Sequence, residues 1–433
     1  MDGMERETNG REALRQLQLE RLQMTLNRAY LNVDFYRARM DSLGMVPEDV
    51  ETEEDLRRFP FTTSEDLADH YPYGLFAVPL KSVVRLKIAT SRDGRPIVVG
   101  FTRRDVTLWQ SLMARLFRRL GITDRDIVQV AFNYSLFPGA FTFNHAAEAI
   151  GATLAPSATV SARLQLQIMR DFRSTVLATT PSFALHLMDT LEADAYGGRE
   201  RHELNLNLMI LGPDPTPERL KQRIRSTLGI PVYGLYGVSE MVEPGLAGEC
   251  PQQNGFHAAE DHFLLEVVNP ATGLPVEAGE EGELVVTTLS AEAYPLIRYR
   301  TGDVVRRDPG PCPCGQATLR LSPVIRRTDN RVSVRGIPIY PERVGKILQA
   351  VDPLIADYRL VVGTRYGLGD TLEVLICRRG GSGQAHETRG NRLEEIRSRL
   401  RRELGLGVRV QEVSADRMPQ EGLTFKTVFR EKV

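Results

Sequence analysis

Two hydrophobic rhythms run along this chain, and they change places near residues 86 and 300. In residues 11 to 44, Leu14, Leu17, Leu19, Leu22, Met24, Leu26 and Tyr30 recur close to helical spacing, which predicts helix. Thr63 and Ser64 precede "EDLADHY" and mark a helix start. From about 86 to 300, apolar runs of strand length alternate with helical patterns: "DIVQVAF", "ATLAPS", "STVLATT", "LNLMILG" and "IPVYGLYG". That alternation predicts an α/β architecture with parallel strands. Ligands in such folds bind where loops leave the strand ends.

The last hundred residues follow another order. "YPERVGKILQAV" reads as helix, "DYRLVVG" and "TLEVLIC" as strands, "NRLEEIRSRLRREL" as helix and "VRVQEV" as strand. This is a small α+β unit of its own, interrupted by "RRGGSGQAHETRGN", a glycine-rich polar stretch that reads as surface loop. The pattern shifts near Arg327 to Arg335, so a domain boundary is expected there, with residues 1–328 forming the larger unit and 329–433 the smaller.

Composition narrows the function. Of the 433 residues, 42% are hydrophobic and 26% charged, with a formal net charge of -1. This is the balance of an ordinary globular protein and offers no bulk field for nucleic acid or anionic membrane. No apolar run is long enough to cross a bilayer. The polar N-terminus does not read as a signal peptide. Four cysteines, Cys250, Cys312, Cys314 and Cys377, are too few for a disulfide framework in a chain this long. A cytoplasmic location is the expectation.

Candidate chemistry sits in three short segments. "LYGVSE" (235–240) ends a strand at Gly237 and offers the Tyr236 ring, the Ser239 hydroxyl and the Glu240 carboxylate, a hard oxygen ligand suited to Mg²⁺. "YRTGD" (299–303) reads as a second turn, whose Asp303 can accept hydrogen bonds from two ribose hydroxyls. "RRTDNRVSVRG" (326–336) carries a basic pair and an acid ahead of a strand. Cys250 and His257, with Cys312 and Cys314 from "GPCPCG", bring together three thiolates and an imidazole, a donor set for structural, tetrahedral Zn²⁺.

In their order and spacing these segments resemble the acyl-adenylate-forming superfamily and, within it, the phenylacetate–coenzyme A ligase family. "FYRARMDSLG", "RRFPFTTSEDLADHYPYGLFAVP", "EDHFLLEVVNPATGLP", "YPLIRYRTGD" and "RVSVRGIPIYPERVGKIL" carry the resemblance over nearly the whole chain. It implies a large N-terminal domain with a small mobile C-terminal one, and a two-step reaction of a carboxylate with ATP and then with coenzyme A. It also implies roles: Tyr236 against adenine beside Gly237, Ser239 on the α-phosphate, Glu240 on Mg²⁺, Asp303 on the ribose, Arg327 near the nucleotide and Asp329 as hinge. The acids handled by the family are aromatic, and "FNYSLFPGAFTF" offers Tyr134, Phe137 and Phe141 for an acyl pocket.

Two phosphate-handling elements depart from the family. Its loop reads like Ser-Ser-Gly-Thr-Thr-Gly-Lys-Pro, whereas this chain has Ala89, Thr90, Ser91, Arg92, Asp93, Gly94, Arg95 and Pro96. Arg92 and Asp93 stand for two hydroxyls, and Asp93 beside a triphosphate would cost about 1–4 kcal/mol per phosphate charge. Arg95 keeps the lysine's charge without its shape. In the tail "MPQEGLTFKTVFREKV", Thr424 takes the place of the family's adenylating lysine and Lys426 lies two residues on. These departures lead to the expectation of an ATP-independent acyltransferase, moving an anthraniloyl- or benzoyl-type group from coenzyme A to the pantetheine thiol of an acyl carrier protein. The alternatives are an ATP- and Mg²⁺-dependent aryl-acid–coenzyme A ligase, with Lys426 doing the lysine's work, and a non-catalytic binding homologue. A homodimer is compatible with either enzymatic reading.

Overall fold

The computed structural model describes residues 2–134, 138–158, 160–196, 204–214, 216–334, 337–365, 369–378, 386–414, 417–418 and 424–429. The N-terminal helical stretch forms helices Asp2–Asn32 and Asp34–Ser42, broken at the extended Val33. Thr63 caps helix Ser64–Asp69 by accepting from the Asp66 amide, and the Asp66 carboxylate accepts from the Thr63 amide in return.

Strands β1 (Val83–Thr90) and β2 (Pro96–Thr102) form an antiparallel hairpin whose tip is the variant loop. The apolar runs that follow become β3 (Ile127–Ala131), β4 (Thr153–Pro156), β5 (Val176–Thr179), β6 (Leu208–Leu211) and β7 (Val232–Tyr236). They are parallel, in the order β7-β6-β5-β3-β4. Val176 and Ala178 of β5 and Leu208 and Ile210 of β6 enter the main core. Their neighbours Leu177, Met209 and Leu211 enter a second cluster, built with Leu166, Met169, Leu187 and Ile224 from three helices. A sheet covered on both faces needs apolar residues at both parities, which is why these strands read as continuous runs.

Beyond β7 the sheet continues antiparallel through β8 (Ala247–Glu249), β9 (Phe256–Ala258), β10 (Phe263–Val268), β11 (Glu281–Thr288), β12 (Tyr299–Asp308) and β13 (Arg320–Leu321), with β14 (Arg326–Arg327) paired to β12. "YRTGD", expected as a turn, is therefore strand. Residues 301–303 form a bulge opposite Leu284, because Glu283 pairs with Val304 but Val285 pairs with Arg300. Thr301 Oγ1 holds the bulge by donating to the Leu284 carbonyl at 2.8 Å, and the extra residues aim Asp303 at the ends of neighbouring segments.

From Val332 onward a separate hydrophobic cluster takes over. It joins a short hairpin, β15 (Val332–Val334) with β16 (Ile337–Ile339), to helix Pro341–Val351 and a four-stranded sheet. That sheet comprises β17 (Ile355–Arg365), β18 (Gly369–Arg378), β19 (Val408–Glu412) and β20 (Thr424–Phe429). Helix His386–Leu404 begins inside the stretch read as loop. The tail forms β20, parallel to β17, with Lys426 in register with Val362.

Candidate active site

The turn after β7, the bulge of β12 and the segment 327–340 converge on a cavity of about 330 Å³. Gly237, Ser239, Glu240, Asp303, Arg327 and Asp329 all line it, so the order read from the sequence becomes a place. Gly237 is required by space: a Cβ there would overlap the Val242 carbonyl oxygen and lie 2.7 Å from Glu243 Cα. The turn is anchored from behind by Trp109, whose Nε1 donates to the Pro244 carbonyl at 2.6 Å.

Each cavity carboxylate has a different environment. Tyr236 Oη donates to Asp303 Oδ2 at 2.7 Å, and Arg327 Nη1 pairs with Asp303 Oδ1. The same guanidinium forks onto Asp329 with two bonds of 2.8 Å and reaches the Thr301 carbonyl at 2.9 Å, a bidentate geometry that only arginine offers. Burial raises the Asp329 carboxyl, but Arg327 outweighs it and the net displacement is downward. Burial pushes the Glu240 carboxyl up, with Arg331 and a hydrogen bond from Tyr299 acting against it. Glu243 is only partly exposed, which acts to raise its carboxyl, yet Lys87 and then Arg331 pull it below the ordinary value. Lys87 Nζ and Ser239 Oγ each donate to Glu243 Oε2 at 2.9 Å.

Several sequence candidates lie elsewhere. Arg95 pairs with Asp93 and Asp69 outside the cavity lining. Tyr134 and Phe141 pack with ring centres 4.8 Å apart, Tyr134 Oη donates to Asn144 at 3.0 Å, and neither lines the cavity. Phe137 is outside the described residues. Lys426 sits on β20, which contributes nothing to the described lining. Sequence reasoning missed Glu243, Tyr299, Arg331 and Lys87. Glu243 follows Glu240 by three residues and Arg331 follows Asp329 by two, so proximity to the motifs was the available signal. For Lys87 there was none, since its partner is 156 residues away.

The variant loop is a tight hairpin tip in which Asp93 is fully engaged. Ser91 Oγ donates to Asp93 Oδ1 at 2.5 Å and Arg95 Nε to Asp93 Oδ2 at 2.6 Å. Burial acts to raise the Asp93 carboxyl, but these bonds win and hold it below the ordinary range. Asp93 is thus neutralised within its own loop.

Cys250, His257, Cys312 and Cys314 come together with all four donor atoms within 4.8 Å of one another. Cys250 Sγ lies 3.8 Å from Cys312 Sγ and Cys314 Sγ lies 3.4 Å from His257 Nε2. Tetrahedral Zn²⁺ with bonds of about 2.3 Å to sulfur and 2.0 Å to nitrogen sets such pairs about 3.5–3.8 Å apart. His257 Nδ1 is 2.9 Å from Thr318 Oγ1, which orients the ring. Burial, with Arg119 and Arg320 nearby, pulls the imidazole down to about 4, leaving it neutral at pH 7. The donor set therefore fits zinc.

Residues 101–290 match the AMP-binding enzyme family and residues 336–432 match the AMP-binding enzyme C-terminal domain. A phenylacetate–coenzyme A ligase of Escherichia coli (strain K12) is 35% identical over 96% of this chain and 94% of its own. One from Thermus thermophilus is 38% identical over 86% of this chain and 83% of its own. Among solved structures, 2-hydroxyisobutyryl-CoA ligase with 2-HIB-AMP and CoA in its thioesterification state superposes with a TM-score of 0.84 at 25% identity, over 96% of this chain and 90% of the other. The same enzyme in its postadenylation state gives 0.67 over 94% and 88%. These relatives overturn the expected ATP-independent transfer to a carrier protein, for they are ligases and none is an acyltransferase. The physical argument behind that expectation fails as well, because the Asp93 charge meant to repel a triphosphate is spent on Ser91 and Arg95. With this much identity spread across nearly the full length of both sequences, the chain belongs to the phenylacetate–coenzyme A ligase family of AMP-binding enzymes.

Proposed function

We propose that the protein is an ATP-dependent aryl-acid–coenzyme A ligase working through an acyl-AMP. The carboxylate oxygen of the acid attacks the α-phosphorus of ATP and pyrophosphate leaves. The coenzyme A thiol then attacks the acyl carbonyl, AMP leaves with the bonding pair, and the thiol proton passes to solvent. The observation that carries this reading is the convergence of Ser239, Glu240, Asp303 and Arg327 on one cavity, with Tyr236 holding Asp303 from behind the lining, in a chain 35% identical to a phenylacetate–coenzyme A ligase.

On this reading Asp303, held by Tyr236 and Arg327, takes the ribose hydroxyls, and Ser239 meets the α-phosphate. Glu240 holds Mg²⁺: its burial raises the carboxyl, a cost that a divalent cation offsets, and such sites use one or two carboxylates with substrate phosphates completing the shell. The metal, when bound, screens phosphate charge during the displacement. We place the hinge at Asp329 and divide the chain into 1–328 and 329–433. Lys426 serves the adenylation step, and the aryl group is assigned to Tyr134, Phe137 and Phe141, of which the two described, Tyr134 and Phe141, pack together outside this cavity. The four-residue cysteine–histidine cluster holds a structural zinc.

Supplying a panel of aryl acids with ATP, Mg²⁺ and coenzyme A tests the reading. AMP, pyrophosphate and aryl-CoA are expected in equal amounts. Aryl-CoA formation without AMP, or no product with any acid, refutes it.

A further inference from the structure

Arg92 stands where the family's loop has a hydroxyl, and it is the residue of that loop that lines the cavity. Four arginines do so: Arg92, Arg300, Arg327 and Arg331. Arg300 gives Nε to Glu283 at 2.8 Å and Nη2 to the Pro270 carbonyl at 2.8 Å. Arg327 is consumed by Asp303, Asp329 and the Thr301 carbonyl. Arg331 faces the charge of Glu240 and Glu243.

Arg92 differs from all three. Its Nη2 donates to Glu342 Oε1 at 3.0 Å, its amide donates to Ser64 Oγ at 3.3 Å, and its Nε is buried with no partner. A buried guanidinium N–H without an acceptor is costly, and such groups persist where a ligand supplies one. Asp93 does not compete, being bonded to Ser91 and Arg95. The carboxylate that does hold Arg92 opens helix Pro341–Val351, in the unit beyond Asp329. Tyr340 Oη donates to the Thr90 carbonyl at 3.2 Å beside it, and the Arg343 side chain crosses Gly94, with Cδ 2.6 Å from where a Cβ would stand. The smaller unit is thus seated on the loop.

We infer that Arg92 is a phosphate-binding cation of the nucleotide site, replacing by charge the hydroxyls its loop lacks. Glu342 is the carboxylate that takes Arg92 up when the smaller unit is seated and the pyrophosphate has gone. Arg92 then serves both half-reactions in turn, with a phosphate oxygen as its partner during adenylation and Glu342 as its partner during thioester formation. This rests on the ligase reading above and adds to it a residue and an exchange of partners.

The test separates the half-reactions. Acid-dependent ATP–pyrophosphate exchange reports adenylation, and aryl-CoA release reports the sum. Arg92→Ala is expected to raise the KM for ATP and for pyrophosphate by about tenfold, the scale of one lost charge-assisted contact, while the KM for the acid stays unchanged. Arg92→Lys is expected to recover part of that loss, and it keeps the test available if the alanine variant folds poorly. Glu342→Gln is expected to act in the opposite sense, lowering the KM for ATP while slowing aryl-CoA release by about two- to fivefold, since the pair is half exposed. An Arg92→Ala enzyme whose KM for ATP stays within about twofold of the parent overturns the proposal, as does a Glu342→Gln enzyme that shifts KM in the same direction. Absence of exchange in the parent enzyme overturns the ligase reading, and this proposal with it.

Discussion

Lys87→Met removes a buried cation and leaves its partly buried partner carboxylate behind. Lys87 is 6% exposed at its side chain and Glu243 is 18% exposed, with 2.9 Å between Nζ and Oε2. Breaking such a pair from one side costs about 3–5 kcal/mol when both groups are fully dry. Glu243 keeps the Ser239 hydrogen bond and the nearby Arg331 charge, so about 2–3 kcal/mol is expected here. Melting temperature shifts by about 2–4 °C per kcal/mol in domains of 150–250 residues and by less in larger ones, which sets the expected loss at roughly 3–6 °C by thermal unfolding at pH 7. The pH dependence gives the sharper signature. In the parent protein the folded-state carboxyl of Glu243 is depressed, so its contribution is present above the unfolded-state value and is lost as pH falls through the folded value. Without Lys87 that carboxyl becomes a partly buried acid that prefers its proton, and its penalty fades as pH falls. The gap between variant and parent therefore closes on going from pH 7 towards pH 4.5. A double variant, Lys87→Met with Glu243→Gln, recovers much of the loss. A gap below about 1 °C at pH 7, or one that widens in acid, refutes the argument.

The remaining predictions concern the metal, the glycine and the tail. Purified protein is expected to carry one zinc per chain by elemental analysis, and Cys312→Ser to lose it together with several degrees of thermal stability, because three ligands no longer close the tetrahedron. Gly237→Ala is expected to cost about 2–4 kcal/mol in unfolding measurements and most of the activity, since its Cβ has no room beside the 242–244 backbone. Lys426→Ala is expected to abolish acid-dependent ATP–pyrophosphate exchange while leaving conversion of supplied acyl-AMP and coenzyme A to thioester within about threefold of the parent. Equal loss of both steps would refute the assignment of Lys426 to adenylation alone.

Much of this protein is legible in its order of residues. The run of strand-length apolar segments announces a parallel α/β sheet, because strands covered on both faces need apolar side chains at both parities. The motif series led to Ser239, Glu240, Asp303, Arg327 and Asp329, which do meet at one cavity. Cys250, His257, Cys312 and Cys314 were found by donor chemistry alone and lie together. What the order of residues could not provide is which charge answers which. Asp93 read as a repulsive charge in a phosphate loop, and only the folded loop reveals Ser91 and Arg95 neutralising it. Arg92 read only as a replaced hydroxyl, and only the seating of helix Pro341–Val351 reveals Glu342 on one side of it and a buried, unanswered Nε on the other. Lys87 carried no signal, because Glu243 reaches it across 156 residues. Periodicity and motif chemistry are local and survive in a string of letters. The state of a charge depends on the nearest opposite charge and on exclusion of water, and both are set by how distant segments pack.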